Sequence, residues 1–336
     1  MTHMTDDSTL LAGASNPVVF FANGIGDAIL ALPALRALTE VFPGRLTLLA
    51  HGRALYLELF EPLATRRQLY ITSGTKCNWE REDIDALAAS VGECDLFISL
   101  VAGWHSESLG YLIERLRPAK TVGYWAGYDI KLPRDFTKHT VELNFDAVRA
   151  VSPGHSLRDY LDPPTYPSRS VTMAEEIKAS LGDGVRILAV HMETMPEKLW
   201  EPGKLAAVLD GFLTAHPEFI ALLVNYSDYP LALQSESGRK RFIAQKGLSL
   251  SDALCLVHYA DCFLGADSCM LHAADLGRVP AVGLFGPTSA DEFGCVVGPH
   301  IAIQSASEVS LIEVECVLAA LESLLADPNQ RATWRL

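Results

Sequence analysis

The sequence predicts an α/β protein of two doubly wound parallel-sheet domains. Short apolar runs alternate with segments of helical periodicity along its whole length. The alternation stops once, at a proline-rich stretch near the middle, and then resumes. A length of 336 residues suits two domains at roughly 100–200 residues each.

In the first series, residues 18–22, 46–50, 96–100 and 121–124 read as buried strands. Between them Leu32, Leu35, Leu38 and Phe42, and then Ile84, Leu87, Ala88 and Val91, recur at helical spacing. Strands alternating with helices imply right-handed βαβ units and a parallel sheet covered on both faces. Pro163, Pro164 and Pro167 interrupt the pattern, because proline continues neither a helix nor a central strand. The expected organisation is a flexible tail over 1–16, a domain over 17–162, a linker over 163–172 and a domain over 173–336. In the second domain strands at 186–190, 219–224, 262–265 and 281–285 alternate with helices at 204–215, 251–259 and 269–276, and residues 312–325 form a last amphipathic helix.

Acidic residues number 41 against 27 basic ones, a formal charge of −14. Up to residue 165 there are 15 bases and 20 acids, and beyond it 12 and 21, so neither half offers a general surface for nucleic acid or anionic membrane. Seven cysteines form no paired framework, which suits a reducing cytoplasm. Cys255, Cys262 and Cys269 recur every seventh residue, but Cys262 falls in a strand, so buried thiols are favoured over a metal site. The polar first 16 residues lack the pattern of a signal peptide, and the longest apolar stretch, 28–38, is far too short for a membrane span. The chain therefore reads as soluble and cytoplasmic.

In doubly wound sheets, ligands bind beyond the carboxyl ends of the strands. Three such loops stand out. The first is Asn23, Gly24, Ile25, Gly26 and Asp27, where glycines permit a tight turn and close ligand approach. Ile29 stands where a dinucleotide fingerprint needs its third glycine, and no acid ends the second strand, which disfavours a nicotinamide enzyme. Asp27 reads as a helix N-cap or as a general base. The second loop runs from His191 to Pro202 and carries Thr194 and Lys198. Lys198 reads as a solvated lysine or as a point charge for a diphosphate. The third holds Asp267, Ser268, Cys269 and His272, followed by Phe285, Gly286, Pro287 and Thr288. Its helix start either is simply capped, with His272 in the core, or offers free N–H groups to an anion.

Together these loops resemble the bacterial heptosyltransferase family, the enzymes that use ADP-heptose in lipopolysaccharide core assembly. The likeness covers residues 18–325. It rests on the run from Gly26 and Asp27 through Pro33, on Lys198 and Trp200, and on Asp267, Ser268 and His272 with Phe285 to Thr288; His139, Glu142 and Asn144 match a further segment. The resemblance implies a GT-B fold: two Rossmann-like doubly wound parallel-sheet domains facing across a cleft, the first for the acceptor and the second for the nucleotide sugar. It implies Asp27 as the catalytic base, and Gly26, Thr194, Lys198, Asp267, Ser268, Cys269 and His272 as donor-binding residues. Cys269 departs from the glycine usual there.

The implied reaction is an inverting, metal-independent transfer of a heptose or related sugar from an ADP-sugar to an acceptor hydroxyl, with no cofactor. Asp83 and Asp85 have the spacing of a metal-binding D-x-D pair, but an amphipathic, acid-rich helix explains them better. A GT-B-type sugar-nucleotide epimerase and a non-catalytic nucleotide-sugar-binding protein are the rival readings. The first half's one basic-leaning stretch holds Arg115, Arg117, Lys120, Lys131, Arg134 and Lys138 against Asp129 and Asp135. That surplus suits an acceptor less anionic than a phosphorylated lipid core.

Overall fold

The computed structural model describes residues 11–52, 54–227, 229, 231–327 and 329–336. The described residues form two compact units that divide between Asp162 and Pro163.

The first unit is a six-stranded parallel sheet of β1 (Pro17–Phe21), β2 (Thr47–His51), β3 (Arg67–Ile71), β4 (Leu96–Ser99), β5 (Lys120–Gly123) and β6 (Ile130–Lys131), in the order β3-β2-β1-β4-β5-β6. Every residue of β1 and β2 is buried, as expected where helices cover both faces. Its helices are α1 (Ile25–Val41), α2 (Ala54–Phe60), α3 (Arg81–Val91), α4 (Glu107–Leu116) and α5 (Thr140–Val151). From β1 the chain steps outward to β2 and β3, then crosses back to β4 and steps the other way. Right-handed crossovers then put helices on opposite faces and leave a crevice between the ends of β1 and β4. Helix α1 is buried along most of its length and packs on α5, where Asn144 donates to the Leu30 carbonyl.

The second unit is a seven-stranded parallel sheet of β7 (Arg186–His191), β8 (Phe219–Val224), β9 (Phe242–Gln245), β10 (Cys262–Ala266), β11 (Ala281–Phe285), β12 (His300–Gln304) and β13 (Arg331–Arg335). The order β13-β12-β11-β10-β7-β8-β9 puts its reversal between β7 and β10. The helices are α6 (Ser168–Ser180), α7 (Pro202–Ala215), α8 (Glu236–Lys240), α9 (Leu250–His258), α10 (Cys269–Leu276), α11 (Ala290–Phe293) and α12 (Val314–Ala326). Among the described residues no helix is long and apolar enough to cross a membrane.

Two boundaries differ from expectation. Residues 1–10 of the expected tail lie outside the described residues, but residues 11–16 are fastened down. Leu11 is buried, and Asp95 accepts the N–H groups of Ser15 at 2.6 Å and Asn16 at 2.9 Å. The expected linker over 163–172 ends early, because α6 begins at Ser168 directly after Pro167. No proline follows to stop the helix, and the Ser170 hydroxyl donates to Asp252 at 2.6 Å, tying α6 to α9.

Candidate functional site

In the second unit, the crevice between β7 and β10 is closed by side chains from both following loops. Trp200 is fully buried and its indole N–H donates to the Ile312 carbonyl at 3.0 Å, anchoring the chain just past Lys198. Lys198 ends a short 3-10 turn, and its Nζ donates to Asp267 Oδ2 at 2.6 Å. That oxygen also accepts the Thr288 hydroxyl at 2.7 Å, while the Thr194 hydroxyl donates to the Asp267 carbonyl at 3.0 Å. Asp267 is thus the hub of three loops, buried to 4% exposure. An ammonium has three protons to donate, so the Asp267 contact leaves Lys198 able to bind an oxyanion.

Helix α10 starts beside this hub. Its N-cap, Ser268, makes no capping hydrogen bond, and Ser268 Oγ is buried without a partner among the described residues. The first N–H groups of α10 are therefore not covered by a cap, and they carry the positive end of the helix dipole. Cys269 is the first helical residue, and burial pushes its thiol up to about 12, so the side chain at the helix start is neutral near the ordinary thiol range. His272 is buried one turn on, with Nε2 3.6 Å from Asp267 Oδ1. It belongs to the hub's inner side, whereas Lys198 and the start of α10 form the outer side.

The loop after β8 adds residues that the sequence did not single out. Glu193 accepts the Tyr226 N–H at 2.6 Å and the Ser227 hydroxyl at 2.5 Å. Burial alone would raise its carboxyl, but these bonds outweigh it and hold the group below the usual range. The His191 ring lies between the carbonyls of Val224 at 2.6 Å and Glu193 at 2.8 Å. His191 ends β7 and Glu193 stands in the loop that follows it, and that place at a strand's end was the available signal for both.

In the first unit, Asp27 is not the N-cap of α1. Gly24 holds that place, and Asp27 is the third helical residue, its Oδ2 accepting the Gly24 N–H at 3.0 Å. The carboxylate reaches back to satisfy a backbone N–H that has no acceptor within the helix. Gly26 precedes it in the first turn and adds no side chain. Across the crevice the Trp104 indole N–H donates to Asn23 Oδ1 at 2.9 Å, joining the loops after β1 and β4.

The D-x-D pair lies elsewhere. On α3, Asp83 accepts from Ser73, and Asp85 pairs with Arg115 at 2.6 Å. Among the described residues no group of three or more His, Cys, Asp or Glu side chains is placed to hold a metal.

No family model and no curated protein matches the chain by sequence. Solved structures do match it. A glycosyl transferase family 9 protein from Veillonella parvula superposes with a TM-score of 0.74 at 17% identity, covering 93% of this chain and 97% of that one. E. coli ADP-heptose lps heptosyltransferase II gives 0.69 at 16% identity, over 93% and 98% of the two chains. E. coli heptosyltransferase WaaC, solved with ADP, gives 0.64 at 15% identity, over 92% and 99%. At these identities the likeness is one of fold, and the fold is GT-B.

Proposed function

We propose that the protein is an inverting glycosyltransferase that moves a heptose or related sugar from an ADP-sugar to an acceptor hydroxyl without a metal. The observation that carries this reading is the array at the β7–β10 crevice: Lys198 held by Asp267 beside the uncapped start of α10. Such an array suits a diphosphate whose negative charge grows as the glycosidic bond breaks. In this reading residues 173–336 bind the nucleotide sugar and residues 17–162 the acceptor.

The acceptor oxygen attacks the anomeric carbon as Asp27 takes its proton, a contribution of about 10²–10⁴ in rate. The carbon–oxygen bond to the diphosphate breaks on the opposite face, and ADP departs with the charge that Lys198 and α10 receive. Asp267, itself held by the Thr288 hydroxyl, keeps Lys198 in place, and Thr194 closes its loop onto the Asp267 backbone. Cytoplasmic residence is part of the proposal, supported by seven cysteines that are all free thiols.

The test is ADP release from ADP-heptose with and without an acceptor panel, in the presence of EDTA. Acceptor-dependent release that survives the chelator supports the proposal. Isomerisation of the donor alone would show an epimerase instead, and donor binding with no turnover on any acceptor would show a binding protein.

A further inference from the structure

The basic stretch of the first unit is sorted by the structure into paired and unpaired charge. Arg115 is paired with Asp85 at 2.6 Å, and Lys138 with Asp146 at 2.7 Å. Just beyond the stretch, Arg149 is held by Glu142 at 2.6 Å and Asp146 at 2.8 Å. Arg134 differs. Among the described residues its guanidinium meets no carboxylate, and its neighbour Asp135 instead accepts the N–H of Thr137 at 3.1 Å and its hydroxyl at 2.6 Å.

Arg134 is nevertheless held. Its Nε donates to the Ala102 carbonyl at 3.1 Å, and its guanidinium carbon lies 3.7 Å from the centroid of the Trp125 ring. The Phe136 ring is 5.5 Å away, and 45% of that residue is exposed. Ala102 belongs to the loop after β4, the same loop that Trp104 ties to Asn23. Trp125 follows β5. The cation, on the segment after β6, is thus fixed against the loop after β4, the strand that neighbours β1. With Nε bonded and one face stacked, the two terminal nitrogens remain as a planar fork already ordered before any ligand arrives.

We propose that Arg134, stacked on Trp125, anchors one oxyanionic group of the acceptor, a carboxylate or a phosphate ester. The proposal rests on the reading that the first unit takes the acceptor. A single fork matches a single oxyanion. Arg115, Lys138 and Arg149 are by contrast already paired with carboxylates.

Binding can be read without turnover, from the tryptophan fluorescence of the intact protein titrated with a methyl hexuronoside, a hexose 6-phosphate and a neutral methyl hexoside. One charge-assisted bidentate contact predicts at least about tenfold tighter binding of an anionic probe than of the neutral one. Arg134→Gln removes that preference, Arg134→Lys restores part of it, and Trp125→Phe reduces both the preference and the signal. Which anionic probe binds tighter identifies the oxyanion. Equal binding of charged and neutral probes, no binding of any probe, or a preference that survives Arg134→Gln overturns the proposal. Because the readout is binding, an anion preference without glycosyl transfer would count against the proposed reaction while leaving this site standing.

Discussion

Lys198 and Asp267 meet at 2.6 Å, with side chains exposed to only 17% and 4%. The Lys240–Glu236 pair has the same separation but exposures of 73% and 75%, so solvent screens it far more. The sheltered pair joins the loop after β7 to the loop after β10, and Thr288 extends the join to the loop after β11.

Asp267→Ala is expected to destabilise the second unit by about 1–3 kcal/mol and to weaken ADP binding, because it leaves Lys198 and Thr288 without their acceptor. Lys198→Ala is expected to weaken ADP binding at least as much, since it removes the charge itself. Thermal unfolding and calorimetric ADP titration of both single variants and the double variant check this. Strictly additive losses would show that the two residues do not act as a pair.

Asp27→Asn is expected to reduce transfer by about 10²–10⁴ while leaving ADP affinity unchanged within a few-fold. The amide retains an oxygen to accept the Gly24 N–H, so the start of α1 is expected to keep its stability. Initial rates and melting temperature on one preparation separate the capping role from the chemical one. Near-normal rates would remove Asp27 from the mechanism.

Much of this arrangement was legible in the residues. The buried strands β1, β2, β7, β8, β10 and β11 read as near-continuous apolar runs, and their loops were found with them. Five strands escaped: β3, β6, β9 and β13 are the sheet edges, and β12, although interior, has only Ile301, Ala302 and Ile303 as an apolar run between His300 and Gln304. β3, with sequence RQLYI, is half-buried for most of its length, and β13, with sequence RATWR, is exposed at both ends. At such edges one side lacks a neighbour and polar residues are tolerated. Lys198, Thr194 and Asp267 were identified singly, but their convergence depends on the pairing of β7 with β10, which no local pattern encodes. The stacking of Arg134 on Trp125 depends in the same way on how two loops meet.

Cys269 is expected to resist alkylation. A helix start ordinarily lowers a thiol, but burial dominates here and holds Cys269 up at about 12, against weaker opposing bonds from the Met270 and Cys269 N–H groups. Iodoacetamide at about pH 8, followed by peptide mass spectrometry, should leave Cys269 unmodified in the native protein and label it after denaturation. Rapid native labelling, or inactivation that ADP prevents, would show instead a reactive thiol in the site.

Burial lowers His191 below its ordinary value of 6.5 and outweighs the two carbonyl contacts that favour the charged ring. The folded protein therefore keeps His191 neutral at a pH where the unfolded chain has already bound a proton. Stability is unaffected by this residue above the ordinary value, declines as pH falls through it, and stops declining below the lowered folded value. The loss falls on the second unit, because the ring lies between the Val224 and Glu193 carbonyls where β7 and β8 end. Between about pH 7.5 and about pH 5, wild-type protein should lose more melting temperature than His191→Gln, whose amide does not titrate. Hydrogen exchange at residues 225–227 should quicken over the same interval in the wild type. Equal pH dependence of the two proteins would show that His191 is not the group responsible.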